Sequence, residues 1–77
     1  MTPSLPATNA RRTIRALERA GFKERRRSGS HRLLVHFEDP SRVVVVPVHG
    51  SRDLKPGTLR SIIRQAGLTV DEFIDLL

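Results

Sequence analysis

The order of helix-like and strand-like patterns is the feature of this chain that most constrains its fold. Near the N-terminus, alanine, isoleucine and leucine recur at helical spacing, which predicts a helix from a cap at Thr8 or Asn9 to about Ala20. Gly21 then stands where a helix commonly ends in a left-handed residue. A strand-like region follows before the next helical pattern begins, so we expect a sheet between two helical segments.

Three short strands are predicted in this middle region, at residues 23–27, 31–37 and 42–48. The first is highly charged, as an edge strand often is, whereas the third is β-branched throughout, which favours a buried central strand. In the second strand the residues alternate, and we expect the set that includes Leu33 and Val35 to face the helices. All three phenylalanines of the chain are expected in the core: Phe22, Phe37 and Phe73.

Two further helices are predicted after a polar loop. Pro56 is suited to the first position of a helix, and Gly67 to its end. Thr69 and Glu72 have the spacing of a capping box, which predicts a last short helix. The chain is therefore expected to form an α+β two-layer sandwich: a helix, three antiparallel strands, and one or two helices on the same face. The same order occurs in double-stranded-RNA-binding domains.

Length and composition limit the kind of protein this can be. Seventy-seven residues are enough for one domain, predicted at residues 10–77 after a flexible N-terminal arm at residues 1–9. So small a domain works on its surface or in a shallow groove, and we expect no cofactor. The absence of cysteine excludes disulfides and thiolate metal sites and fits the cytoplasm. No apolar run is long enough for a membrane span, and we do not expect the N-terminal residues to act as a secretory signal.

The distribution of charge indicates a polyanionic partner. The formal net charge is +6, and residues 1–37 carry nine basic and two acidic side chains, whereas residues 38–77 carry five basic and six acidic ones. A basic half of this kind commonly binds nucleic acid. The alternative is that the charges merely keep the domain in solution.

His31 is the candidate catalytic residue. It follows the small residues Gly29 and Ser30, which leave an imidazole accessible and let a phosphate approach the backbone. Histidine exchanges protons near neutral pH, so His31 is suited to take the proton of a ribose 2′-hydroxyl, which then attacks the adjacent phosphate. The alternative is a structural or merely exposed histidine. Because His31 shares a strand side with Leu33, it is expected to work only at the rim of the sheet.

The other two histidines are given lesser roles. His36 is expected to be solvated or on a sheet face, and His49, in the loop after the third strand, is a possible auxiliary to His31. Since His31 and His36 should lie on opposite faces of their strand, they are not expected to share a metal ion, and no metal site is predicted.

The basic residues near His31 are candidate phosphate ligands, because guanidinium groups grip phosphates and stabilise developing negative charge. An alternative for the arginine run is a charged edge that prevents strand-to-strand aggregation. The candidate RNA- and phosphate-binding residues are Gly29, Ser30, Arg25, Arg26, Arg27, Arg32 and Lys55. The candidates for protonating the leaving group are His31 itself, His49 and Lys55.

Four segments, taken together and in order, resemble the HicA toxins of bacterial and archaeal toxin–antitoxin pairs. They are LERAGF at 17–22, GSH at 29–31, VPVH at 46–49 and LKPGTLRSIIRQAGL at 54–68. The last segment is long and specific, whereas GSH alone is a weak signal.

The resemblance implies a double-stranded-RNA-binding-like fold and a toxin that cleaves messenger RNA independently of translation. The family's catalytic histidine lies in the GSH segment and corresponds to His31. A HicB antitoxin that covers the active site is the implied partner, and we expect the toxin alone to be a monomer. Two other functions stay open from the residues themselves: a non-catalytic RNA-binding module with the same basic face, and one half of a protein complex without cleavage.

Overall fold

The structure, a computed structural model, describes residues 4–77 and has the predicted order of elements. Residues 1–3 of the predicted arm lie outside the described residues. The elements are α1 (Ala10–Arg19), β1 (Phe22–Ser28), β2 (His31–His36), β3 (Val43–Pro47), α2 (Pro56–Gln65) and α3 (Val70–Leu76). The strands form one antiparallel sheet in the order β1-β2-β3. Helices α1 and α2 pack on the sheet and α3 packs on both helices, which confirms the α+β sandwich.

The helices begin and end where the local sequence predicts. Asn9 caps α1 by accepting a hydrogen bond from the Arg12 backbone N–H at 2.9 Å, and Gly21 follows this helix with a φ of +101°. Pro56 is the first residue of α2. At α3, Thr69 and Glu72 exchange both hydrogen bonds of a capping box. These caps satisfy backbone N–H groups that the helices leave unpaired.

The buried face of the sheet is the opposite of the predicted one. Leu34 of β2 and Val44 and Val46 of β3 are fully buried against the helices, whereas Leu33 pairs across the strands with Val45 on the outer, open face. The prediction that Leu33 and Val35 face the helices was therefore wrong. Its cause is that β2 carries apolar residues on both sides, so alternation alone did not distinguish the two faces.

Strand β3 is an edge strand, and β2 is central, so the prediction that the valine run forms a central strand was wrong. Only alternate valines are buried: Val43 and Val45 are 37% and 39% exposed. A β-branched run suits an edge strand as well as a central one, because β-propensity reflects packing of the side chains on a pleated, half-buried surface and does not require burial on both sides. The predicted edge position of β1 is confirmed.

Phe37 lies outside the core, contrary to prediction, with 71% of its surface exposed, while Phe22 and Phe73 are buried. Strand β2 ends at His36, and the Phe37 backbone N–H turns to bond the Gly21 carbonyl at 3.0 Å. The Phe37 ring then stacks on the His36 ring with 5.3 Å between centroids. It covers the end of the core without entering it.

Part of the segment predicted as a flexible arm packs on the domain. Leu5 contacts the apolar cluster formed around Phe73, and Thr8 is buried. The Thr8 carbonyl accepts a hydrogen bond from the Leu54 N–H at 2.9 Å, and Asn9 pairs with Asp53 in an isolated antiparallel bridge. The chain before α1 is thereby tied to the loop before α2.

Candidate active site at the end of the sheet

His31 opens strand β2 and is exposed to solvent. The turn before it is tight: Gly29 has a φ of +56°, and Ser28 and His31 pair directly across the two strands. Since Leu34 faces the helices, His31, three positions earlier, lies on the open face of the sheet. The position gives a mobile ligand free access to the imidazole.

The backbone joins the GSH turn to the end of β3. His31 pairs with Pro47 across the strands, and the Val48 N–H donates to the Ser30 carbonyl at 2.6 Å. The chain then continues directly to His49. Two segments that lie far apart in the sequence therefore meet at the same end of the sheet.

A groove next to Pro47 contains two further candidate residues, His49 and Lys55. Its volume is about 290 Å³. Lys55 holds the N-cap position of α2 and makes no side-chain cap bond, so the first N–H groups of that helix keep the positive potential that favours an anion. Paired antiparallel residues have Cα atoms roughly 4.5–5.5 Å apart, so the groove begins at the immediate neighbour of His31. The groove is lined by Pro47, His49, Arg52, Asp53, Leu54, Lys55 and Thr58.

The arginines of β1 are divided between the two faces of the sheet. A bulge interrupts the pairing: Glu24 pairs with Leu34 and Arg26 with Leu33, so that Arg25 is the extra residue. Arg26 thereby shares the open face with His31. Arg27, in contrast, pairs with Arg32 on the side of the helices.

The two arginines on the helix side, Arg27 and Arg32, form ion pairs with one carboxylate, that of Glu24. Glu24 lies 3.5 Å from Arg27 and 3.3 Å from Arg32. Arg32 has 27% of its side chain exposed, and it lines a second groove together with Arg11 and Arg15 of α1. Sequence reasoning assigned these two helix arginines no role. The sequence signal that could have identified them is their four-residue spacing, which puts two like charges side by side on one face of a helix.

His36 has a structural position: of the two predicted placements, solvated or on a sheet face, the solvated one was wrong, and His36 lies on the face of the sheet that is packed against the helices. It is 6% exposed, and its Nε2 lies 3.0 Å from the Ala20 carbonyl oxygen. Its Nδ1 accepts hydrogen bonds from the backbone N–H groups of Glu38 and Asp39, at 3.1 and 3.3 Å. Both ring nitrogens are therefore used to join the end of α1 to the turn after β2. The predicted opposite placement of His31 and His36 is confirmed.

Two carboxyl groups have shifted pKa values, and both serve local structure. Hydrogen bonds from the Ser41 side chain and backbone lower the pKa of Asp39 in the turn between β2 and β3. Hydrogen bonds from the backbone and side chain of Thr69 lower the pKa of Glu72 in the capping box. Within residues 4–77, no three histidine or acidic side chains are grouped in a way that would hold a metal ion.

Comparison with protein-family models identifies the family of the chain. A protein-family model described as HicA toxin of bacterial toxin-antitoxin matches residues 10–68, a range that contains both grooves and all of the sheet. No curated protein matches the chain. Over the residues that the structure describes, no helix has the length and apolar character needed to cross a membrane.

Proposed function

Because this chain belongs to the HicA toxin family of bacterial toxin–antitoxin systems, we propose that it is an endoribonuclease that cleaves messenger RNA through His31. The observation that carries the proposal is the exposed imidazole of His31 at the end of the sheet, whose cross-strand neighbour, Pro47, lines a groove with His49 and Lys55. A proton acceptor beside a cationic groove is suited to attack on a phosphodiester.

In the proposed reaction, His31 takes the proton of the ribose 2′-hydroxyl. The 2′-oxygen forms a new bond to the adjacent phosphorus, and the bond from phosphorus to the 5′-oxygen of the next nucleotide breaks. That oxygen receives a proton from His31, His49 or Lys55. The products are a 2′,3′-cyclic phosphate and a 5′-hydroxyl, and the step needs no metal ion because the imidazole itself carries the proton.

The cations at this end of the sheet have a different role, which is to bind the phosphate. Lys55 and Thr58, at the start of α2, line one side of the groove, and Arg26 lies on the face of His31. Negative charge grows on the non-bridging oxygens as the 2′-oxygen attacks, so donors fixed beforehand at those oxygens lower the barrier. Gly29 and Ser30 contribute a turn that brings the backbone close to the substrate.

The family is one of paired toxins and antitoxins, which supports a HicB-like antitoxin as the protein partner. We propose that this partner covers the exposed His31 and that the toxin alone is a monomer. The site of action is the cytoplasm, where messenger RNA is translated.

The test is cleavage of a defined, end-labelled RNA by purified wild-type protein and by His31→Ala, in buffer with EDTA. Removing a general base typically lowers the rate by about 10²–10⁴-fold, so we expect His31→Ala to lose cleavage by that factor. Mass analysis of the wild-type products should find the cyclic phosphate. Gln65→Ala, an exposed change on α2, is the matched control and should leave the rate unchanged.

Three results would contradict the proposal: cleavage retained in His31→Ala, cleavage abolished by EDTA, or a product carrying a linear 3′-phosphate from the start of the reaction. RNA that is bound but left intact by both proteins would indicate the non-catalytic RNA-binding module. Neither binding nor cleavage, with tight association to the product of a neighbouring gene, would indicate a protein-complex role alone.

A further inference from the structure

The second groove lies on the helix side of the sheet, away from the open face of His31. We call it the arginine groove; it has a volume of about 400 Å³. Three guanidinium groups line it, from Arg11, Arg15 and Arg32, against a single carboxylate from Glu18. We propose that the arginine groove binds the phosphodiester backbone of the RNA next to the linkage that His31 cleaves, an inference that rests on the proposed function.

The buried part of Arg32 lacks a partner. Within residues 4–77, its Nε is the one buried side-chain polar atom that makes no hydrogen bond, and its Nη1 has only a long contact of 3.3 Å to Glu24. An unpaired N–H of a charged group in a buried position is costly, and the same guanidinium group, with 27% of the side chain exposed, is a strong charge-assisted donor to a phosphate oxygen. Arg32 therefore has donor capacity that the folded chain does not use.

Helix α1 carries its cations where they weaken the helix. Arg11 and Arg12 lie in the first turn, which contains no acidic residue, although the positive end of the helix dipole disfavours cations there. Arg11 and Arg15 are four residues apart, a spacing at which like charges repel. Residues that destabilise the local structure are expected at functional positions. A bound polyanion would relieve both repulsions.

The loop after β3 forms the other wall of the groove. Gly50 has a φ of +62°, and the position of a Cβ on it is open, with no atom within 4 Å. Gly50 and Arg11 also line a small adjoining cleft at the start of α1, with Asn9 and Ser51. An uncovered backbone beside guanidinium groups lets a phosphate approach closely.

The path from the arginine groove to His31 is short along the chain. Arg32 follows His31 directly in β2, and successive strand residues point to opposite faces. An RNA strand that reaches both therefore curves around the end of the sheet. This geometry favours a flexible single strand over an acidic protein segment, because repeated phosphates supply an anion at every step of the path.

The test measures RNA binding in a His31→Ala background, so that the probe stays intact. The probe is a labelled, unstructured 20-nucleotide RNA, read by fluorescence anisotropy. Arg11→Gln with Arg15→Gln is compared with Arg60→Gln and Arg64→Gln, an exposed pair of equal charge and spacing on α2. We expect the dissociation constant to rise about tenfold at 0.1 M salt for the groove pair and less than about twofold for the control. The slope of log affinity against log salt should fall by about 1.4 for the groove pair, or about 0.7 for each lost phosphate contact.

A second measurement separates this inference from the proposed cleavage. With His31 intact, the double variant Arg11→Gln with Arg15→Gln should leave cleavage of a dinucleotide unchanged. A dinucleotide has only the linkage that is cleaved and no neighbouring phosphate to enter the arginine groove. If the wild type cleaves nothing but the affinities differ as expected, the proposed catalysis is wrong and the groove stands. If both arginine pairs weaken binding equally, or neither does, the inference is overturned, and an acidic protein segment becomes the candidate occupant.

Discussion

Arg42 connects three elements at the end of the core opposite the candidate site, and its removal is expected to be costly. Its Nε donates to the Ala66 carbonyl at 2.9 Å, and its Nη2 donates to the same oxygen. This carbonyl lies at the C-terminal end of α2. The guanidinium carbon also lies 5.4 Å from the centre of the Phe22 ring. Arg42, the residue that precedes β3, thus contacts both the end of α2 and the ring of Phe22 in β1.

We choose Arg42→Met as the perturbation, because methionine keeps an apolar stem and removes the guanidinium. A hydrogen bond to a charged group contributes about 1.5–3 kcal/mol. A cation at a helix C-terminus adds about 0.3–1 kcal/mol, and an exposed cation–π contact about 0.5–1 kcal/mol. Because these terms share one side chain they do not add fully, and we expect a loss of about 2–3 kcal/mol. Small domains are stable by only about 5–15 kcal/mol.

The assay is urea and thermal unfolding of wild type, Arg42→Met and Arg42→Lys. For a domain of this size, 1 kcal/mol shifts the melting temperature by about 4–8 °C, so Arg42→Met should melt at least about 8 °C lower. Arg42→Lys should fall between the two, because it keeps the charge and loses the planar pair of donors. Arg64→Met, an exposed arginine in the last turn of α2, is the control. A loss for Arg42→Met within about 0.5 kcal/mol of this control would refute the reasoning.

Two further predictions concern backbone geometry and acid stability. Gly21→Ala should cost more than about 2 kcal/mol, because φ is +101° and the new Cβ would lie 2.8 Å from the Phe37 ring. In the same urea titration Gly29→Ala should cost only about 1 kcal/mol, since its Cβ position is open; equal losses would show that the contact is not the cause. Hydrogen bonds from Thr69 lower the pKa of Glu72, so its ionised form stabilises the fold above its unfolded pKa, and this is lost as pH falls through the folded pKa. The melting-temperature gap between wild type and Glu72→Gln should therefore close between about pH 5 and pH 3, and a gap independent of pH would contradict this account.

The helix boundaries could be predicted from the sequence because their causes are local. A cap needs a side-chain oxygen at one position and an N–H two or three residues later, as Asn9 and Thr69 provide. A left-handed helix end needs a glycine at one position, as Gly21 provides. None of these choices depends on what the rest of the chain does, so the residues themselves contain the information.

The faces of the sheet could not be predicted, because they depend on contacts between distant segments. Leu33 and Leu34 are the same residue type, and only packing against the helices makes one buried and the other part of the open face. The same holds for His36, whose ring nitrogens find their partners at Ala20 and in the following turn. Likewise, His49 comes near His31 only because β2 and β3 pair at this end of the sheet.

The bulge in β1 has the largest consequence for the candidate site. Regular alternation after Glu24 would put Arg25 and Arg27 on the open face and Arg26 on the helix side. With the extra residue, Arg26 takes the open face and Arg27 moves to the helix side, where it meets Arg32 and Glu24, while Arg25 lines a cleft with Val35 and Phe37. One inserted residue thus puts Arg26 on the face of His31 and Arg27 opposite Arg32, which lines the arginine groove. A strand of RNA that follows this division would meet cations on both sides of the sheet end, with the proposed cleavage position between them.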